Sequence, residues 1–90
     1  MLIRIYTQQN RLLPSIISRY FENWTLLYAQ GFYKGQPESS VVIEIDTLGQ
    51  DYNPLARIDS IVDEIKTLCG QEAVLVQKFI GGCEPKSELL

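Results

Sequence analysis

Residues 24–46, WTLLYAQGFYKGQPESSVVIEID, carry the pattern of a long β-hairpin. Trp, Thr, Tyr, Phe, Val and Ile crowd both arms, and these are the side chains that pack well on a pleated surface. In the first arm Trp24, Leu26, Tyr28, Gln30 and Phe32 share one face, while Thr25, Leu27, Ala29, Gly31 and Tyr33 share the other. Gly35-Gln36-Pro37-Glu38 is expected to form the turn, because proline lacks a ladder donor and glycine favours turn conformations. Val41, Val42, Ile43 and Ile45 then make the return strand.

Working outward, Ile3 and Ile5 alternate with Leu2, Arg4 and Tyr6, the period of a half-buried strand over Leu2 to Thr7. Leu13, Ile16, Ile17 and Tyr20 repeat at helical spacing, with Pro14 in the first turn and Glu22-Asn23 expected to end the helix. Beyond the hairpin, the polar run 48–53 is expected to be a loop. Asn53-Pro54 then supplies a cap acceptor followed by proline, the signature of a helix start. Leu55, Ile58, Ile61, Val62, Ile65 and Leu68 carry that helix to Gly70, which suits a left-handed stop. Glu72 to Ile80 reads as the last strand, ended by Gly81-Gly82. One domain, 1–82, is expected, with 83–90 as a short tail that docks or frays.

The order βαββαβ, with right-handed crossovers, places both helices on one face of an antiparallel sheet. The expected fold is therefore α+β, a ferredoxin-like two-layer sandwich with a four-stranded sheet in the order 4-1-3-2. No helix remains to cover the other sheet face. Because the strands carry apolar or aromatic groups on both sides, a homo-oligomer, dimer or trimer, is expected through the open face or the long hairpin. Trp24, Leu26, Tyr28 and Phe32 are its candidate interface residues.

Composition narrows the chemistry. Ninety residues leave little room for a separate substrate lobe, so a site must lie on the surface or between copies. Eleven acids against eight bases give a net charge of −3, which disfavours nucleic acid as a partner. No apolar run is long enough to span a bilayer, and the N-terminal stretch fits a strand better than a signal peptide, so a cytoplasmic protein is expected. Cys69 and Cys83 are expected to be reduced thiols. With no histidine in the chain, Ser-His and Cys-His nucleophiles are impossible and a zinc site lacks its usual ligand.

The stretch from Gly31 to Ser40, followed by an apolar strand and by Gln71 to Val76, resembles small bacterial or phage-borne ferredoxin-like proteins that have no established activity. More distantly the topology is similar to the CutA and PII-like group of ferredoxin-fold trimers. That resemblance implies an aromatic-Gly hairpin and an acid near subunit clefts where metal ions or nucleotides can bind.

Few residues suggest chemistry. Glu44 and Asp46 lie two apart and so share a face, while Glu38 follows the turn. Carboxylates so placed can bind a cation or act as acid and base, or can simply keep a sheet soluble. If its face is buried between subunits, Glu44 needs a partner such as Arg4. Tyr28, Phe32, Tyr33 and Lys34 read as an aromatic strip ending in a cation, able to stack a base or to anchor an interface. Tyr28, Tyr33, Lys34, Glu38 and Glu44 are thus the candidate ligand-binding residues, with no catalytic residue, metal ligand or cofactor assigned. Taken alone, the sequence supports a non-catalytic binding module that self-associates and takes a protein or small-molecule partner. Its alternatives are a PII/CutA-like regulatory oligomer binding a small ligand or metal, and a small cofactor-free enzyme with an inter-subunit carboxylate/Tyr/Lys site.

Overall fold

The computed structural model describes residues 1–47, 53–81 and 84–90. The expected loop residues 48–52, Gly82 and Cys83 lie outside them. The elements run β1 (Leu2–Gln8), α1 (Leu13–Ser18), β2 (Thr25–Tyr33), β3 (Gln36–Asp46), α2 (Pro54–Cys69), β4 (Leu75–Phe79) and β5 (Lys86–Leu89). Ile3 and Ile5 of β1, Val41, Ile43 and Ile45 of β3, and Val76 of β4 turn to one side of the sheet. There they meet Leu13, Ile16 and Ile17 of α1 and Ile58, Ile61, Val62 and Ile65 of α2 in one core. Fully burying an isoleucine side chain contributes about 1.5–3 kcal/mol, so this single layer of contacts is the main source of stability.

Helix α2 is bounded as its sequence dictates. The Asn53 side chain accepts a hydrogen bond from the Ala56 N–H at 3.2 Å, Pro54 opens the first turn, and Gly70 closes the helix at φ 71°. Helix α1 is shorter than expected, ending at Ser18. The two helices are tied together by Glu64, which accepts from both the Arg19 guanidinium and the Tyr20 hydroxyl, while Arg57 Nη1 donates to the Tyr20 carbonyl at 2.7 Å. The bond to Glu64 pushes the Tyr20 phenol above its usual pKa. A phenol raised in the folded state contributes stability that is fully present below the unfolded value, near 10, and is lost as pH rises through the folded value. Tyr20→Phe is therefore expected to flatten the alkaline fall in stability, measured as urea midpoints between about pH 8 and 11. An unchanged slope contradicts the role given to this bond.

The expected four-stranded sheet is corrected to five strands in the order β2-β3-β1-β4-β5. The tail adds β5 to the outer edge of β4, with Leu75 opposite Leu89 and Val76 opposite Glu88. Val74 and Leu90 exchange two backbone bonds of 3.0 and 2.9 Å, and Lys78 pairs with Glu88 at 3.2 Å. Pairing a bare edge satisfies backbone groups whatever the side chains are, so a polar KSEL segment can be a strand without looking like one. β4 itself is trimmed to Leu75–Phe79.

The hairpin turn also moves. It is the two residues Lys34 and Gly35, at φ 51° and 76°, between paired Tyr33 and Gln36. Two consecutive positive φ values are what a tight hairpin needs to match strand twist. Pro37 lies inside β3 opposite Phe32. In the alternation that starts at the turn this is the non-hydrogen-bonded pair, so the missing N–H faces away from β2. On that side β1 has already ended, since its last partner is Ser40. The hairpin therefore overhangs the body of the domain.

Candidate functional site

Register fixes which side chains share the face without helices. Thr25, Glu44, Arg4, Gln77 and Ser87 line up across the five strands, and the next row is Leu27, Val42, Tyr6, Leu75 and Leu89. An apolar row thus crosses the whole sheet beside a polar one. Leu27 and Leu89 are exposed.

The polar row is knitted by side chains. Arg4 Nε donates to Glu44 Oε2 at 2.9 Å, and the Arg4 guanidinium lies 5.0 Å over the Phe79 ring. The Tyr6 hydroxyl donates to Gln77 Oε1 at 2.8 Å, and Gln77 Nε2 donates to Ser87 Oγ at 3.2 Å. The bond to Glu44 and a further contact with Tyr6 hold the guanidinium firmly protonated. Toward the hairpin, Gln8 Nε2 donates to Glu38 Oε2 at 3.2 Å and Gln8 Oε1 accepts from Gln71 Nε2 at 2.7 Å.

The candidate residues from the sequence divide between the two faces. Glu38, Glu44 and Asp46 are on the open face, opposite Gly31, Thr25 and Leu2 respectively, and Tyr33 joins them there. Six residues of strand, about 20 Å, separate Glu38 from Glu44, so within one copy they cannot act on one atom. Arg4 is the partner that Glu44 was expected to require. The aromatic strip is split: Tyr28 and Phe32 sit on the helix side of the hairpin, 75% and 70% exposed, while Lys34 lies 5.4 Å over the Tyr33 ring at the turn. Tyr28 borders a groove of about 260 Å³ shared with Asn10, Arg11, Pro14 and Leu26. Trp24 and Leu26 pack against the core, with Trp24 Nε1 donating to Ser18 Oγ at 3.1 Å; they are core-flanking residues rather than part of the open face. Sequence reasoning passed over Tyr6, Gln77, Gln8 and Gln71. The signal available for Tyr6 was its place on the outward side of β1, beside Arg4.

The strands put three carboxylates on the open face, Glu38, Glu44 and Asp46, against one guanidinium, Arg4. Such a face favours a cationic ligand. The Cys69 thiol is pushed up by burial and is a poor nucleophile. Among the described residues, no group of three or more His, Cys, Asp or Glu side chains gathers to hold a metal ion, and no helix is long and apolar enough to cross a membrane.

No family model matches the chain, and no curated protein matches it. Solved structures do. A phage SAM lyase in its apo state is similar over 99% of this chain and 88% of its own, with a TM-score of 0.74 at 20% identity. A phage SAM lyase in complex with S-methyl-5'-thioadenosine is similar over the same shares, with a TM-score of 0.74 at 19% identity. The CutA protein of Archaeoglobus fulgidus reaches a TM-score of 0.38 at 12% identity, over 99% of this chain and 79% of its own, too low to carry an argument. At these identities the likeness shows the fold. Even so, the full-length match is to an enzyme, which overturns the expectation of a non-catalytic binding module.

Proposed function

We propose that this chain is an enzyme that cleaves S-adenosylmethionine and releases S-methyl-5'-thioadenosine, at a site formed on the open sheet face where two copies meet. The observation that carries the reading is the likeness over 99% of the chain to a phage SAM lyase, both apo and holding that thioether. The chemistry suits the residues. The substrate is a sulfonium with a carboxylate and an ammonium, a monocation overall, and the open face holds three carboxylates against one guanidinium.

The reaction also asks little of the protein. The thioether keeps the methyl and the adenosyl group, so the bond that breaks joins sulfur to the side-chain carbon of the amino acid. The substrate's own carboxylate can attack that carbon: a C–O bond forms, the C–S pair returns to sulfur, and a four-carbon lactone leaves beside the neutral thioether. No proton moves, so neither a general base nor a general acid is required, and a chain with no histidine is equal to the task. What the protein supplies is a folded substrate conformation and exclusion of water.

Assembly follows from the same face. The row Leu27, Val42, Tyr6, Leu75 and Leu89 is covered by a second copy, and the overhanging hairpin brings Tyr33, Lys34 and Glu38 of one copy toward the Arg4 and Glu44 end of the next. This is how residues about 20 Å apart in one chain come to serve one substrate. The test is turnover: purified protein with S-adenosylmethionine is expected to yield the thioether, by chromatography, far above spontaneous breakdown, and Glu44→Gln to slow it. Thioether formation no faster than in buffer overturns the reading.

A further inference from the structure

We infer that Arg4 is the residue that binds the substrate's carboxylate and so sets the amino-acid end for cleavage, with Glu44 as its positioning residue. The inference rests on the sulfonium-cleaving reading above and assigns one end of that substrate. Arg4 is held on two sides. Its ion pair runs through Nε to Glu44 Oε2 at 2.9 Å, and its plane lies 5.0 Å over the Phe79 ring. An Nε bond fixes the plane of a guanidinium while its two terminal nitrogens remain a fork, the shape that takes a carboxylate with two parallel bonds.

The fork is also reachable, because the Arg4 side chain is 37% exposed against 24% for Glu44. It is the single guanidinium among the described strand residues of the open face, so a carboxylate on that otherwise acidic surface has one favourable place to go. The two parallel bonds take one lone pair from each oxygen, and a remaining lone pair of the nearer oxygen can still reach the side-chain carbon. Glu44 lies beside the ammonium of a zwitterion so placed. An adjacent guanidinium and carboxylate thus match an α-amino acid group for group.

The thioether product lacks the amino-acid end, which gives a clean experiment. Steady-state kinetics with S-adenosylmethionine and competitive inhibition by S-methyl-5'-thioadenosine are compared for the wild type, Arg4→Gln and Arg4→Lys. Arg4→Gln is expected to raise KM on the order of 10- to 100-fold, the range for one charge-assisted contact, with a smaller change in kcat and less than about a 2-fold change in thioether inhibition. Arg4→Lys keeps the charge without the fork and is expected to fall between. It stands in if Arg4→Gln does not fold. An unchanged KM overturns the inference, as does equal weakening of substrate and thioether, which marks Arg4 as structural. Wild-type protein that neither cleaves the one nor binds the other sinks the underlying reading and the inference together.

Discussion

Ile43→Ala is expected to lower folding stability by about 3–4 kcal/mol, the range for removing most of a large aliphatic side chain from a well-packed core. Ile43 is fully buried at the centre of β3, between Ile5 of β1 and Leu26 of β2, and both helices close over that layer. Neighbours held by two ladders and two helices cannot collapse into the space left behind. In a domain of this size the loss corresponds to a fall of about 15 °C or more in melting temperature, measured by differential scanning calorimetry. A fall of less than about 5 °C contradicts this placement of the core.

Val42→Lys, one residue away, is expected to do the opposite: leave the secondary structure unchanged and break the assembly. Val42 points to the face without helices, between Leu27 and Tyr6 in the row that crosses all five strands. If a second copy covers that row, a lysine there must be desolvated without a partner. The cost is several kcal/mol, so the dissociation constant is expected to rise by at least about 100-fold. Multi-angle light scattering reads the result as a shift from oligomer to monomer at micromolar concentration, with activity falling alongside if the proposed site is shared between copies. A Val42→Lys protein that stays assembled places the seam elsewhere. The contrast between neighbours on one strand is itself informative, since a period of two separates the core face from the open face.

Much of this fold is legible in the chain because local signals and global packing agree. Asn53-Pro54 and Gly70 bound α2 through backbone requirements that need no tertiary information. The alternation in β1 and β3 identifies the buried faces, and apolarity on both sides of the strands matches the apolar row on the open face. The turn was misplaced because Gly-Gln-Pro-Glu is turn-like by composition. The chain instead turns at Lys34-Gly35, where Lys34 accepts a left-handed conformation that its side chain does not favour. β5 was unreadable because its strand character comes from an edge waiting to be paired, not from KSEL.

The polar row was hidden for a different reason. Arg4 and Glu44 are 40 residues apart and Tyr6 and Gln77 are 71 apart. Only strand order and register make them neighbours. Glu38 and Glu44 could be named from the hairpin alone, but their separation and their separate partners, Gln8 and Arg4, required the sheet. The fold likeness to a phage SAM lyase lay deeper still, in a backbone similarity at 20% identity.

Cleavage between sulfur and the side-chain carbon is visible to nuclear magnetic resonance of S-adenosylmethionine labelled with carbon-13 in its amino-acid chain. With purified protein, the labelled side-chain carbon is expected to move from its sulfonium position to that of a lactone ester, at the same rate as S-methyl-5'-thioadenosine appears. A spectrum that matches the protein-free control contradicts the account.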